Sequence, residues 1–245
     1  MTKTIETAFN IVETILELEK AGVAELADEL NKPTSTVHDY LQGLEEIGCV
    51  VNDNGTYRVG SRFLSIGTRM RSQLEIYEMA KPELQNLAAK TGEHASLMIE
   101  ENNYGVVLYT ATGERAVQVD IHDGDISRLH TTAPGKAILA NFSSERAEAI
   151  IDHYELTPRT PHTITEKSEI FEELDDIREQ GYAIDREELF EGMQGVGRPI
   201  VVGDNVIGAI SVYGPTGRMD ESKITEKVSD MVLETVNVIE VSLKY

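Results

Sequence analysis

Apolar residues along the first third of the chain recur at helical steps. Ala8, Ile11, Val12, Ile15 and Leu18 mark one side of a helix over residues 4–20. Val23, Leu26, Ala27 and Leu30 repeat at i, i+3, i+4 and i+7 on a shorter helix. Asn31-Lys32-Pro33 breaks it, because proline disfavours helical geometry at the residue before it. Another helix begins within 33–36, where a proline is tolerated in the first turn. Its stripe is Val37, Leu41, Leu44 and Ile47, and its open side carries Thr34, Ser35, Thr36, His38, Asp39 and Gln42. Beyond Gly48 the pattern becomes strand-like: Cys49-Val50-Val51 and Thr56-Tyr57-Arg58-Val59 flank Asp53-Asn54-Gly55, a strong hairpin signal. Two closely spaced helices followed by a hairpin predict a winged helix-turn-helix, its second helix aimed at the major groove of double-stranded DNA. Thr36, His38 and Gln42 are the base-edge candidates, with Ser35 and Lys32 nearer phosphates and Thr34 and Arg58 on the same surface.

Residues 61–77 read as one linker helix, with Phe63, Ile66, Met70, Leu74 and Tyr77 as its seam and Arg62, Arg69 and Arg71 along it. Pro82 opens the next helix, where Leu84, Leu87 and Ala88 face inward and Gly92 is the stop. Strands are predicted at 95–100, 105–111 and 116–121, then helices at 134–142 and 144–154. Ile170, Leu174 and Ile177 mark a helix ended by Gly181; strands at 196–202 and 206–213 and a last helix at 220–243 follow. Hairpins interleaved with helices, without regular βαβ alternation, give an α+β class with an antiparallel sheet. The expected division is a DNA-binding domain with its linker helix over 1–72 and a second domain over 73–245.

Charge changes this picture. The 245 residues carry a net charge of −21, and the first 72 hold 7 basic against 11 acidic residues, unusual for a DNA-binding domain. Many carboxylates with few lysines suit a protein kept hydrated in concentrated salt, so a halophilic source is expected. One cysteine, Cys49, excludes an internal disulfide framework and fits a reducing interior. Glu6 and Glu13 interrupt the N-terminal apolar pattern, unlike a signal peptide. The longest apolar run, 206–213, is far too short for a membrane span, so a cytoplasmic protein is expected.

Chemical motifs are sparse. The stretch TAPGKA (132–137) lacks the leading glycine and the Ser or Thr of a phosphate loop, and Lys136 is expected on a helix surface. The six histidines show no metal-ligand spacing. No serine sits in a G-x-S-x-G elbow. Asp185, Glu187 and Glu188 read as a solvated edge. No catalytic residue, metal or cofactor is assigned.

Four stretches resemble the IclR family of transcriptional regulators: VAELADELNKPTSTVHDYLQGLEEIGCV (23–50), LHTTAPGKAILA (129–140), IREQGYAIDREELFEGM (177–193) and GAISVYGP (208–215). The resemblance implies a GAF-like effector-binding domain over 73–245 and a linker helix that helps form a homodimer or tetramer. It implies effector contacts at Ala133 and Pro134 in the loop before the GK helix, at Asp185 and at Ser211. It also marks Gly195, where the family often has cysteine, and Tyr213, where it has a smaller residue, so the pocket shape should differ. Arg198 is a further candidate for pairing a carboxylate, with an ordinary surface role equally open. The implied function is a regulator whose operator affinity follows a small metabolite, in particular a sugar acid or hydroxy acid. Two other classes stay open on the residues alone: a metabolite-converting enzyme with a helix-turn-helix docking domain, and an acidic protein-interaction module.

Overall fold

In the computed structural model, which describes residues 2–244, the chain divides between Gln73 and Leu74 into two units. The first begins with α1 (Thr2–Glu17), which buries Ile11, Val12 and Ile15. It stops three residues short of the expected end: Glu19 takes a positive φ, and Leu18 lies outside the helix and exposed. A two-residue strand, β1 (Ala21–Gly22), precedes α2 (Val23–Glu29) and α3 (Thr34–Glu46). Asn31 turns the chain between them at φ 49°, a left-handed conformation that asparagine tolerates. Leu26, Ala27, Val37, Leu41 and Leu44 close the core as expected, but Ile47 sits at the C-cap of α3 and is exposed. The wing is β2 (Val50–Asp53) and β3 (Thr56–Val59), joined through Asn54 and Gly55 with φ 54° and 90°. Positive φ at both central residues matches the right-handed twist of a two-residue hairpin. The sheet order is β1-β3-β2.

The expected linker helix at 61–77 is instead interrupted. Helix α4 (Arg62–Ser72) ends the first unit, and α5 (Glu75–Thr91) starts after Leu74 in an extended conformation. Leu74 packs against the core of the second unit and Tyr77 is buried in α5 edge-on to Tyr109, so the supposed seam is split between two helices. Pro82 does not open α5 but lies inside it, on its exposed side. There the hydrogen bond it cannot donate and the carbonyl it crowds face solvent, which makes an interior proline tolerable.

The second unit is built on β4 (His94–Glu101), β5 (Tyr104–Thr112) and β6 (Ile126–Arg128), then a 3-10 turn at Leu129–Thr131. After α6 (Ala133–Ala140), α7 (Ser144–Asp152) and α8 (Lys167–Gln180) come β7 (Ala183–Arg186), β8 (Met193–Val202) and β9 (Asn205–Pro215). The chain closes with α9 (Glu221–Lys223), a π turn at Ile224–Val228 and α10 (Ser229–Ser242), in place of one regular helix. The sheet is antiparallel throughout, in the order β6-β5-β4-β9-β8-β7. The expected strand at 116–121 does not form. The strand that pairs with the outer edge of β5 is instead Ile126–Arg128, against residues 104–106.

Strand parity sorts the sheet into two faces. Ala95, Leu97, Val196, Ile200, Ile210 and Val212 meet α5 and α10 in one core. On the opposite face Met98, Ala183 and Ala209 join α6, α7 and α8 in a second core. Ser96, Asp185, Gly195, Ser211 and Tyr213 share the parity of this second face. It is the face that carries the cavity described next.

Candidate effector cavity and DNA-reading surface

In the first unit, Thr34, Ser35, His38 and Gln42 are exposed along α3, opposite the buried Val37, Leu41 and Leu44. Thr36 on α3 and Lys32 just before it are half-buried, and Arg58 is exposed on β3 of the wing. The seven expected DNA contacts therefore fall on the second helix, its entry turn and the wing. Carboxylates intrude on this surface, with Asp39 Oδ1 lying 3.8 Å from His38 Nδ1.

In the second unit a cavity of about 230 Å³ opens between the sheet and the start of α6. Ala133, Pro134, Asp185, Gly195, Ser211 and Tyr213 all line it. Helix α6 reaches this position because Gly197 has no side chain; a Cβ there would lie 2.6 Å from Ala133 C and Pro134 N. Ser96 and Ser211, cross-strand partners on β4 and β9, share a hydrogen bond of 2.8 Å between their hydroxyls at the buried floor. Gly195 lies directly opposite Tyr213, and a Cβ at 195 would come within 2.8 Å of Tyr213 Cβ. A side chain at 195 would therefore collide with the Cβ at 213 and with the Val212 carbonyl, so the strand pair closes here only over a glycine. The Tyr213 ring stacks on His94 at 5.0 Å, and His94 Nε2 lies 2.7 Å from the Val117 carbonyl. Burial pushes the Tyr213 phenol up to about 12, so it stays neutral.

Two sequence readings are corrected here. Lys136 is not on a helix surface: every residue of α6 is buried, and its ammonium lies 2.8 Å from Glu173 Oε1 and 2.5 Å from Glu188 Oε1. Nor is the Asp185–Glu188 run a solvated edge, since Glu188 is only 2% exposed. Burial opposes the charge on Lys136, but the facing Glu188 and Glu173 carboxylates outweigh it and hold its pKa above the ordinary value. Burial raises Glu188, against the pull of Lys136. It raises Asp185 to about 7, despite Lys136 and the amide of Glu188, which donates to Asp185 Oδ1 at 2.8 Å. Arg186 also reaches Glu173, at 3.5 Å, yet at Asp185 burial in a low-dielectric interior outweighs the cation nearby and favours proton uptake.

Arg198 is also corrected. It pairs with Ile210, one residue out of phase with Ser211, and therefore faces α10. Its guanidinium donates to the carbonyls of Gly181 and Ser229 and to Ser229 Oγ, and lies over the Tyr182 ring. The cationic side chain at the cavity is Arg159, which no sequence motif marked. Among the described residues, no helix is long and apolar enough to cross a membrane, and no three His, Cys, Asp or Glu gather as a metal site.

A winged helix with a hydrogen-bonding second helix, beside an α+β domain with a small mixed-polarity cavity, defines a ligand-responsive transcriptional regulator. Residues 4–54 match the IclR helix-turn-helix domain and residues 68–241 the bacterial transcriptional regulator IclR C-terminal domain, and the chain belongs to the IclR family. It is 33% identical over 242 residues to the probable HTH-type transcriptional regulator ArcR of Halobacterium salinarum, covering 97% of this chain and 92% of that one. Against KipR of Bacillus subtilis identity is 28%, covering 95% of each. The crystal structure of Thermotoga maritima IclR superposes with a TM-score of 0.84 at 30% identity, over 100% of both chains. An IclR homologue from Microbacterium hydrocarbonoxydans, solved in complex with 4-hydroxybenzoate, shares the fold with a TM-score of 0.80 at 20% identity, covering 97% of this chain and 99% of that one. The protein is a DNA-binding transcriptional regulator, like these relatives.

Proposed function

We propose that the chain acts in the cytoplasm as a homodimer or homotetramer whose operator affinity is set by a small sugar acid or hydroxy acid. Residues 1–72 read the operator through Lys32, Thr34, Ser35, Thr36, His38, Gln42 and Arg58. Residues 73–245 bind the effector. The observation that carries this reading is that six positions spread from 133 to 213, singled out by family likeness, line one cavity. Its volume of about 230 Å³ suits a metabolite, and its serine floor offers both donors and acceptors. Asp185, its pKa raised to about 7 by burial, can donate to a carboxylate or hydroxyl when protonated and accept from a hydroxyl when ionised. The 4-hydroxybenzoate in the Microbacterium homologue is an acid too. To act as an effector, the ligand must bind the DNA-competent and DNA-incompetent arrangements with different affinity.

Footprinting on the upstream region of the protein's own gene, with hydroxy and sugar acids added in turn, tests this directly. The effective acid should alter protection, and Thr36→Ala with Gln42→Ala should weaken operator preference by roughly 1–3 kcal/mol per lost base contact. Unchanged sequence preference in that double variant would remove α3 as the reader. The net charge of −21 and the Halobacterium relative support a halophilic setting. Ordinary duplex binding weakens with log salt at a slope of about −0.9 per phosphate neutralised. Here operator binding should persist in molar KCl with a shallow or reversed slope, and a steep negative slope would rule the halophilic setting out.

A further inference from the structure

We propose that Arg159 is the specificity-determining residue of the cavity, the group that makes it select a carboxylate. This rests on the cavity being the effector site. Arg159 is the one basic residue lining the cavity among those described, whereas Asp120, Asp125 and Asp185 line it too. Three acids without a counter-charge would reject an anion; the guanidinium offsets them, and it attracts a carboxylate more strongly than a neutral acceptor and repels a cation.

The guanidinium of Arg159 is also uncommitted. Among the described residues its guanidinium carbon lies over the Phe190 ring, 6.0 Å from the centroid, and Phe190 lines the same cavity. A ring contact at this distance takes up none of the guanidinium's N–H donors, which stay available for a ligand, and a planar fork of donors suits bidentate carboxylate recognition. Arg198 is already engaged by three acceptors, and Arg128 donates to Thr157.

The backbone beneath Arg159 is fixed. Its amide donates to Thr163 Oγ1 at 3.1 Å. The hydroxyls of Thr160 and Thr163 donate to the carbonyls of Glu187 and Glu188 at 2.6 and 2.8 Å. Glu188 is in turn ion-paired to Lys136 of α6. The turn bearing Arg159 is thereby tied to the segment bearing Phe190 and, through it, to the helix that forms the cavity wall. Arg159 is exposed while Ser96 and Ser211 are buried, so the cation stands at the mouth and the hydroxyl pair at the floor. A short acid with a hydroxyl at its far end spans the two: carboxylate on Arg159, hydroxyl on the serines, carbon body against Phe190 and the Tyr213 ring.

Calorimetry on the full chain with matched acids and primary amides tests this. Suitable pairs are lactate with lactamide, gluconate with gluconamide, and 4-hydroxybenzoate with 4-hydroxybenzamide. At least one acid should bind wild type more tightly than its amide. Arg159→Gln should weaken that acid by roughly tenfold or more, the worth of a charge-assisted hydrogen bond, and weaken the amide much less. Arg159→Lys should restore only part of the loss, because an ammonium lacks the planar fork. The assignment is overturned if amides or amines bind as well as every acid, if no acid binds, or if Arg159→Gln keeps full acid affinity. Ser96→Leu, which fills the floor, separates the two levels of inference. If it leaves acid binding intact, the cavity is not the effector site. If it abolishes binding while Arg159→Gln does not, the cavity stands and only the role of Arg159 falls.

Discussion

Replacing Asp185 by asparagine should stabilise the protein at alkaline pH and lose that benefit as the solution is acidified. Burial holds the Asp185 pKa near 7 in the folded chain, against 3.8 for an ordinary aspartate. The folded state therefore binds a proton more tightly than the unfolded state does, and ionising Asp185 in place is unfavourable. The sign follows: this destabilisation is full above pH 7, fades as pH falls through the folded value, and vanishes below the unfolded one. A difference of about three pKa units corresponds to about 4 kcal/mol at pH 8 and about 2 kcal/mol at pH 5. Asp185 is partly exposed to the cavity, and solvent screening there makes these upper values. Asparagine keeps an oxygen to accept the Glu188 amide and carries no charge. Urea unfolding of wild type and Asp185→Asn can be followed by circular dichroism and tyrosine fluorescence, since the chain has nine tyrosines and no tryptophan. The midpoint of the variant should exceed wild type at pH 8, and the gap should shrink steadily to pH 5. A variant less stable at pH 8, or a gap independent of pH, would mean that Asp185 is ionised and held by Lys136, and the proton-uptake argument would fail.

Three further perturbations probe neighbouring parts. His130 is fully buried, packs its ring on Tyr154 and is lowered to about 4 by burial, Arg128 and Lys136, so its stability contribution is present above pH 6.5 and lost as pH falls toward 4. His130→Leu should remove up to about 3 kcal/mol of that acid sensitivity in unfolding curves, opposite in sign to the Asp185 effect. Lys136→Met leaves the buried Glu188 without its paired cation and Glu173 with only Arg186 at 3.5 Å, and should cost about 3–5 kcal/mol by urea denaturation at pH 8; a neutral outcome would show that the carboxylates simply protonate. Gly195→Cys should destabilise the chain through its clash with Tyr213 Cβ, and the Gly195→Cys, Tyr213→Gly pair, which removes that atom, should show a favourable coupling in a double-mutant cycle. Additive effects in that cycle would show that the two positions are independent.

What could be read from sequence was periodic or conformationally demanding. The stripes of α2, α3, α7 and α8 gave those helices their buried faces, and the Asn54-Gly55 and Asn102-Asn103 pairs turned their hairpins through positive φ. A two-residue strand such as β1 has no period to detect. The split at Leu74 was hidden because Leu74 and Tyr77 continue the spacing of α4, while Leu74 packs in another core and Tyr77 on Tyr109. Lys136 and Glu188 are 52 positions apart, and nothing local distinguishes a buried ion pair from two solvated charges. Arg159 lacked any local signal as well, since only tertiary folding brings its turn beside Phe190. The misplacement of Arg198 was avoidable: its offset in parity from Gly195 and Gly197 already directs it to the opposite face of β8.

The central claim is that occupation of the second unit's cavity changes operator affinity. Fluorescence anisotropy of a labelled operator duplex, titrated with protein at fixed salt with and without the acid identified by footprinting, measures this most directly. Wild type should change its operator affinity by about fivefold or more, the range of ordinary allosteric coupling. The cavity-filling Ser96→Leu chain should bind the operator yet ignore the acid. A wild-type operator affinity unmoved by saturating acid, or a Ser96→Leu chain that responds as wild type does, would contradict the claim.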